Sequence, residues 1–219
     1  MKIAFLHTLA ANIDLFTPYI RQYLPDSDVR ITVEVDHHLH EELLKEAMTT
    51  GITPELRKNV TQAIETIAKQ GVDIIVCTCS TIGALAEETQ LNGCCILRVD
   101  RPMAEATVQH QRVLVLAAVA STLEPTLELL EQVKGSHSPQ VCSALIPDVW
   151  AFYFAKDYEN YARTIARYIG TIKAKYDVIM LAQASMAPAV TYCRSSSTPI
   201  LTSPELCLQY LQSQVIINV

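Results

Sequence analysis

The chain matches itself twice, in the same order. Val72-Asp73-Ile74-Ile75-Val76-Cys77-Thr78-Cys79-Ser80-Thr81-Ile82-Gly83-Ala84 runs parallel to Tyr176-Asp177-Val178-Ile179-Met180-Leu181-Ala182-Gln183-Ala184-Ser185-Met186-Ala187-Pro188, so Asp73 meets Asp177 and Cys79 meets Gln183. Lys2-Ile3-Ala4-Phe5-Leu6-His7-Thr8 followed by Asn12 likewise resembles Arg112-Val113-Leu114-Val115-Leu116-Ala117-Ala118 followed by Thr122. The offsets, 104 and 110 residues, are similar. One such match is within the reach of chance, because buried strands share composition. Two in order point to duplicated α/β halves facing each other across a pseudo-two-fold axis.

Around these segments, short β-branched apolar runs alternate with longer stretches of helical period, the pattern of βα units feeding a mostly parallel sheet. Strands are predicted at 2–6, 29–35, 72–78, 94–98, 112–118, 141–146, 177–182 and 199–202. Helices are predicted at 12–24, 38–49, 53–70, 83–90, 102–109, 122–134, 148–175, 186–193 and 204–213. Asp36 sits where it would cap the helix at 38, and Ser203-Pro204-Glu205 places a hydroxyl before a proline suited to a first helical turn. The expected fold class is α/β, two similar Rossmann-like lobes with mostly parallel sheets. The first lobe takes residues 1–98 and is completed by 203–219, and the second takes 99–202.

Composition narrows the partners. Half of the 219 residues are hydrophobic, 18% are charged, and the net charge is −6 with Lys and Arg scattered, so no basic footprint for nucleic acid is present. No apolar run approaches the ~20 residues that span a bilayer, and the start of the chain is interrupted too early for a signal peptide. A cytoplasmic protein with a small-molecule partner is expected. The seven cysteines (77, 79, 94, 95, 142, 193, 207) lack paired metal-ligand spacing, which suits free thiols in a reducing compartment, most of them buried fillers.

Ligands of parallel sheets bind beyond the carboxyl ends of the strands. That places His7, Thr78 to Thr81, Thr122 and Gln183 to Met186 near one cleft between the halves. Cys79 ends a strand just before a helix, where backbone N–H groups and the helix dipole would lower a thiol pKa and also suit a substrate carboxylate. Cys77, two residues back, reads as an inert buried thiol, and spacing alone leaves Cys79 open to the same reading.

Thr78-Cys79-Ser80-Thr81-Ile82-Gly83 resembles the first cysteine motif of the aspartate/glutamate racemase family, which includes hydantoin racemases, maleate isomerases and arylmalonate decarboxylases. Leu181-Ala182-Gln183-Ala184-Ser185-Met186 resembles its second motif, and Ile3 to Thr8, Thr122 to Thr126 and Leu201 to Pro204 also sit where that family places its segments. The resemblance spans nearly the whole chain, through the order and spacing of short motifs. It implies a two-lobed enzyme, without metal or other cofactor, whose facing thiols remove and return a proton at the carbon next to a carboxylate. Donors must then stabilise the enolate-like charge. Thr78, Ser80, Thr81, Thr122 and Ser185 are the candidates, and Ser and Thr at such places equally serve as helix caps.

The pattern departs from the family at two places. Gln183 holds the second thiol's position, and an amide is neither base nor acid near neutral pH; Gln183 is better suited to hydrogen-bond the substrate. His7 stands where many members carry an acidic residue, and it could relay a proton or be a hydrogen-bonded structural histidine. Cys79 and His7 are therefore the catalytic candidates. One-base isomerisation or decarboxylation, covalent attack by Cys79 on an unsaturated acid, and racemisation using another group all stay open. So does a non-catalytic binder of a small carboxylate. A homodimer would suit the fold.

Two other chemistries are weaker. His37, His40 and Glu41 would share one face of the helix predicted from residue 38, a usable metal spacing, but a solvated helix start is the simpler account. A nicotinamide site needs a glycine-rich turn after the first strand, and His7-Thr8-Leu9-Ala10-Ala11-Asn12 has no glycine.

Overall fold

The computed structural model describes residues 1–24, 33–172, 175–193 and 198–217. The chain divides into two compact units, Met1–Asp100 with Pro204–Val219, and Arg101–Ser203. The first contains β1 (Lys2–His7), α1 (Ala11–Tyr23), β2 (Glu34–Leu39), α2 (Glu41–Thr50), α3 (Pro54–Ala68), β3 (Ile74–Cys77), α4 (Gly83–Glu88) and β4 (Cys95–Arg98). The second contains α5 (Arg101–Thr107), β5 (Arg112–Ala117), α6 (Ala120–Val133), β6 (Gln140–Leu145), α7 (Val149–Phe154), α8 (Tyr158–Thr171), β7 (Val178–Leu181), a 3-10 segment (Ala184–Tyr192) and β8 (Ile200–Thr202). The final helix, α9 (Ser203–Ile217), returns to the first unit, where Tyr23 of α1 bonds Glu205 and Gln209.

Each unit holds a four-stranded sheet with every pairing parallel, in the orders β2-β1-β3-β4 and β6-β5-β7-β8. The duplication read from the sequence is thus a duplication of topology. Its matched aspartates do the same work twice. Asp73 accepts the Lys2 backbone N–H at 2.7 Å, and Asp177 accepts that of Arg112 at 2.8 Å, so each carboxylate pins the start of the central strand beside it. Parallel strands covered on both faces are apolar throughout, and β1, β3, β5 and β7 are buried almost without interruption.

In the first unit Ala4, Leu6, Ile75 and Cys77 pack under α2, α3 and α4, while Phe5 on the opposite face meets Phe16 of α1. In the second, Leu114, Leu116, Ile179 and Leu181 pack with Val149, Tyr161, Ile165 and Ile169 of α7 and α8, while α5 lies against β7 and β8 and α6 against β5 and β6. Among the described residues, no helix is long and apolar enough to cross a membrane.

Three expectations need correction. The strand predicted at 29–35 begins at Glu34 and runs to Leu39, with 29–32 outside the described residues. Asp36 is therefore inside a strand, paired with Lys2 Nζ at 2.9 Å, and caps nothing. The edge position explains the shift: Glu-Val-Asp-His-His-Leu needs no fully buried face and so carries no apolar run. Second, the single helix predicted at 148–175 is two, because Lys156 adopts a left-handed φ of 59° and Asp157 caps α8 by accepting the Asn160 N–H at 3.2 Å. Third, Ser203 opens α9 rather than capping it, and its buried hydroxyl has no partner among the described residues.

A buried ion pair closes β4, with Arg98 Nε and Nη2 donating to the two carboxylate oxygens of Asp100 at 2.7 and 2.9 Å and both side chains 1% exposed. Gly83 leaves room for it, since a Cβ there would stand 3.1 Å from Arg98 Cβ and Nε. Asp100→Ala is expected to lower the unfolding free energy by about 3–5 kcal/mol in urea titration, because the guanidinium keeps its burial and loses its bidentate partner.

Candidate active site

The register of β1 and β3 sorts the strand-end side chains by face. Thr78 continues the ladder, its N–H donating to Leu6 O at 3.0 Å, so its side chain lies beside that of His7. Cys77 and Cys79 point to the opposite face, into the cluster beneath α3 and α4. Cys79 is 7% exposed. The backbone N–H groups of Thr81 and Ile82, the Thr81 hydroxyl and the Thr8 hydroxyl all favour its thiolate. Among the described residues, the buried Thr8 Oγ1 has no hydrogen-bond partner in good geometry.

Burial outweighs these groups. The Cys79 pKa lies above the ordinary thiol value, contrary to the lowering expected from a helix N-terminus. The cause is desolvation, and α4, which starts only at Gly83, four residues on, and is six residues long, offsets little of it. Cys77 is buried, its Sγ donating to Cys79 O at 3.7 Å, and its pKa is pushed far higher by desolvation and by the neighbouring sulfur, as befits an inert thiol. The other cysteines fit the buried-filler expectation unevenly: Cys207 is buried, Cys94 and Cys193 are partly so, and Cys95 and Cys142 are exposed.

His7 is fully buried, with Nδ1 3.0 Å from Thr78 Oγ1 and Nε2 2.8 Å from His37 Nδ1. Desolvation, then the neighbouring His37 and His38, lower its pKa to about 3. It is a neutral, doubly hydrogen-bonded ring that shares the face of Thr78 rather than that of Cys79, the arrangement expected of a hydrogen-bonded structural histidine.

In the second unit Gln183 takes the place of Cys79. Its Oε1 accepts from the N–H groups of Ala118 (2.6 Å) and Val119 (3.2 Å), so the carbonyl is committed to the β5–α6 loop and only Nε2 is left to donate outward. Ser185, the counterpart of Thr81, is 6% exposed and hydrogen-bonds Tyr161 OH at 3.1 Å. Tyr161 packs edge-on against Trp150 and Tyr153, and burial pushes its phenol pKa up, so it stays a neutral partner. Thr122 is buried in the first turn of α6 and Ser80 in the loop after β3. The capping account fails for all of them: α4, the 3-10 segment and α6 begin after Ile82, Gln183 and Val119, none of which makes a side-chain cap bond. Tyr161 and His37 were missed as site residues, because a tyrosine 24 residues from Ser185 and a histidine 30 residues from His7 leave no mark of contact in sequence spacing.

No metal site forms on a helix at 37–41, since His37 belongs to β2 and His40 bonds Glu42 at 2.8 Å. Among the described residues, no group of three or more His, Cys, Asp or Glu side chains is placed to hold a metal.

No family model matches the sequence, and no curated protein does. Solved structures match over nearly the full chain. Aspartate racemase from Picrophilus torridus superposes with a TM-score of 0.69 at 16% identity, covering 97% of this chain and 95% of that one. Glutamate racemase from Francisella tularensis gives 0.72 at 12% identity, covering 99% and 81%. Allantoin racemase from Klebsiella pneumoniae gives 0.64 at 15%, covering 100% and 89%. The chain has the aspartate/glutamate racemase fold. Within that fold, the first unit carries a thiol at its β3 end and the second carries an amide at the equivalent place.

Two pH responses follow. Because the Cys79 pKa is raised above 9.0, its alkylation by iodoacetamide should climb about tenfold per pH unit from pH 7 to 8 and continue upward past pH 9. For His7, a pKa that falls from 6.5 unfolded to about 3 folded means the native state binds fewer protons. Stability is then full above pH 6.5 and declines toward pH 3 by up to about 1.4 kcal/mol per unit. His7→Phe should remove that component from a pH series of urea melts.

Proposed function

We propose that the chain is a cofactor-independent racemase- or isomerase-type enzyme working at the carbon next to the carboxylate of a small aspartate- or glutamate-like acid. Cys79 is its one thiol base. The observation that carries this reading is a buried strand-end thiol whose thiolate is favoured by the backbone N–H groups of Thr81 and Ile82 and by the Thr81 hydroxyl, in a fold shared with proteins named aspartate, glutamate and allantoin racemase.

Cys79 as thiolate takes the α-proton, leaving a thiol and an enolate-like anion, and then gives a proton back to the same carbon. Thr81 and Ile82 hold charge on sulfur during this exchange. Ser80 and Thr81, which follow Cys79 in the first unit, are assigned to the substrate's polar groups; Thr122, Gln183 Nε2 and Ser185 are the polar groups at the corresponding end of the second unit's own sheet. Gln183 has no proton to trade at neutral pH, and its carbonyl is already committed. The expected outcome is exchange from one face, leading to isomerisation or decarboxylation in preference to two-base inversion.

Small acids, including both enantiomers of aspartate and glutamate, would be incubated in deuterated buffer with the native protein and with Cys79→Ala. Deuterium should enter next to the carboxylate and fall by about 100-fold or more in the variant. A second reading, a non-catalytic binder of the same class of acid, is favoured by the raised thiol pKa and the immobilised Gln183. It prevails if no acid exchanges, isomerises or decarboxylates while one of them raises the melting temperature.

A further inference from the structure

The Thr78 hydroxyl has two partners in reach: Leu6 O at 3.2 Å, which can only accept, and His7 Nδ1 at 3.0 Å, whose role depends on the tautomer of the ring. A hydroxyl has one proton. With that proton on Leu6, His7 must carry its own proton on Nδ1 and donate to Thr78. Nε2 is then bare and must accept, and its partner at 2.8 Å is Nδ1 of His37.

We propose that His37 is a positioning residue for Cys79: donating from Nδ1, it holds His7 in the Nδ1–H tautomer, which holds the Thr78 hydroxyl on Leu6 and so fixes the residue preceding the thiol. This deepens the reading of Cys79 as the working thiol and rests on it. His37 is well placed, since it is exposed on edge strand β2 and stacks on His7 with ring centroids 5.1 Å apart and planes 20° apart. Without a donor at position 37, His7 Nε2 would be buried with an unmet lone pair, and the Nδ1–H tautomer would lose the bond that favours it. With the proton on Nε2 instead, Nδ1 turns its lone pair toward Thr78, whose hydroxyl has to leave Leu6. The low His7 pKa keeps the ring neutral, so a tautomer is the only choice it has.

The second unit supports the assignment by contrast. In the matching registers, Ala117, Ser143 and Ala182 stand for His7, His37 and Thr78, and Gln183 stands for Cys79. The relay exists only beside the thiol.

Nitrogen-15 spectra of the His7 ring would be recorded for the native protein, His37→Phe and His37→Asn, with the iodoacetamide rate at Cys79 followed by mass spectrometry of its peptide. Phenylalanine keeps a ring in the stack and has no donor; asparagine returns an N–H near the position of Nδ1. The native protein and His37→Asn should show Nδ1–H. His37→Phe should show Nε2–H and a Cys79 alkylation rate about fivefold higher, the factor one neutral buried hydrogen bond is worth. An Nε2–H tautomer in the native protein overturns the proposal whether or not the variants fold, as does retention of Nδ1–H in His37→Phe or an asparagine variant that behaves like phenylalanine. These signals need no substrate, so failure of the deuterium experiment leaves them readable and the two failures are distinct.

Discussion

The register of β3 against β1 is the constraint on which the first unit depends. Asp73 holds the Lys2 N–H at the start of the pairing, Ile3 to Leu6 face Ile74 to Cys77, and Thr78 N–H closes the ladder on Leu6. Side chains alternate between faces, so a slip by one residue would exchange every contact. Thr78 would enter the aliphatic cluster under α3, and Cys79 would turn toward the aromatic face of Phe5, His7 and Phe16. The separation of a thiol on one side from a histidine relay on the other is a consequence of that register.

The second unit keeps the register and changes the chemistry. Asp177 pins Arg112, and Ala182 N–H closes on Leu116 as Thr78 closes on Leu6. Yet where the first unit has a sulfur stabilised by backbone N–H groups, the second has an amide oxygen bonded to two of them in the loop after β5. Scaffold interactions made by backbone and strand-start carboxylates survive replacement of the residues at the strand end, because they do not touch them. Chemistry carried by one or two side chains is free to diverge.

How legible each part was follows from what holds it in place. The central strands stood out because burial on both faces demands continuous apolar residues. β2 did not, since an edge strand tolerates Asp36, His37 and His38, and those same residues imitate a capped helix start. The break between α7 and α8 was hidden because Lys156 takes a left-handed turn that no glycine announces. Cys79 was visible through its place after an apolar strand, but its pKa direction was not, since desolvation depends on residues brought over it from α3 and α4.

What the amino-acid order determined by itself is the duplicated α/β plan, the strand-end position of Cys79 and the replacement of a thiol by Gln183. Each of these is written in local periodicity or in a match between two segments of chain. Only the tertiary structure decided that Gln183 spends its carbonyl on the Ala118 and Val119 N–H groups, that Tyr161 occupies Ser185, and that His37 and Thr78 claim both nitrogens of His7. Such pairings join residues 24 to 71 positions apart, and a hydrogen bond depends on distances of a few tenths of an ångström that spacing along a chain does not encode.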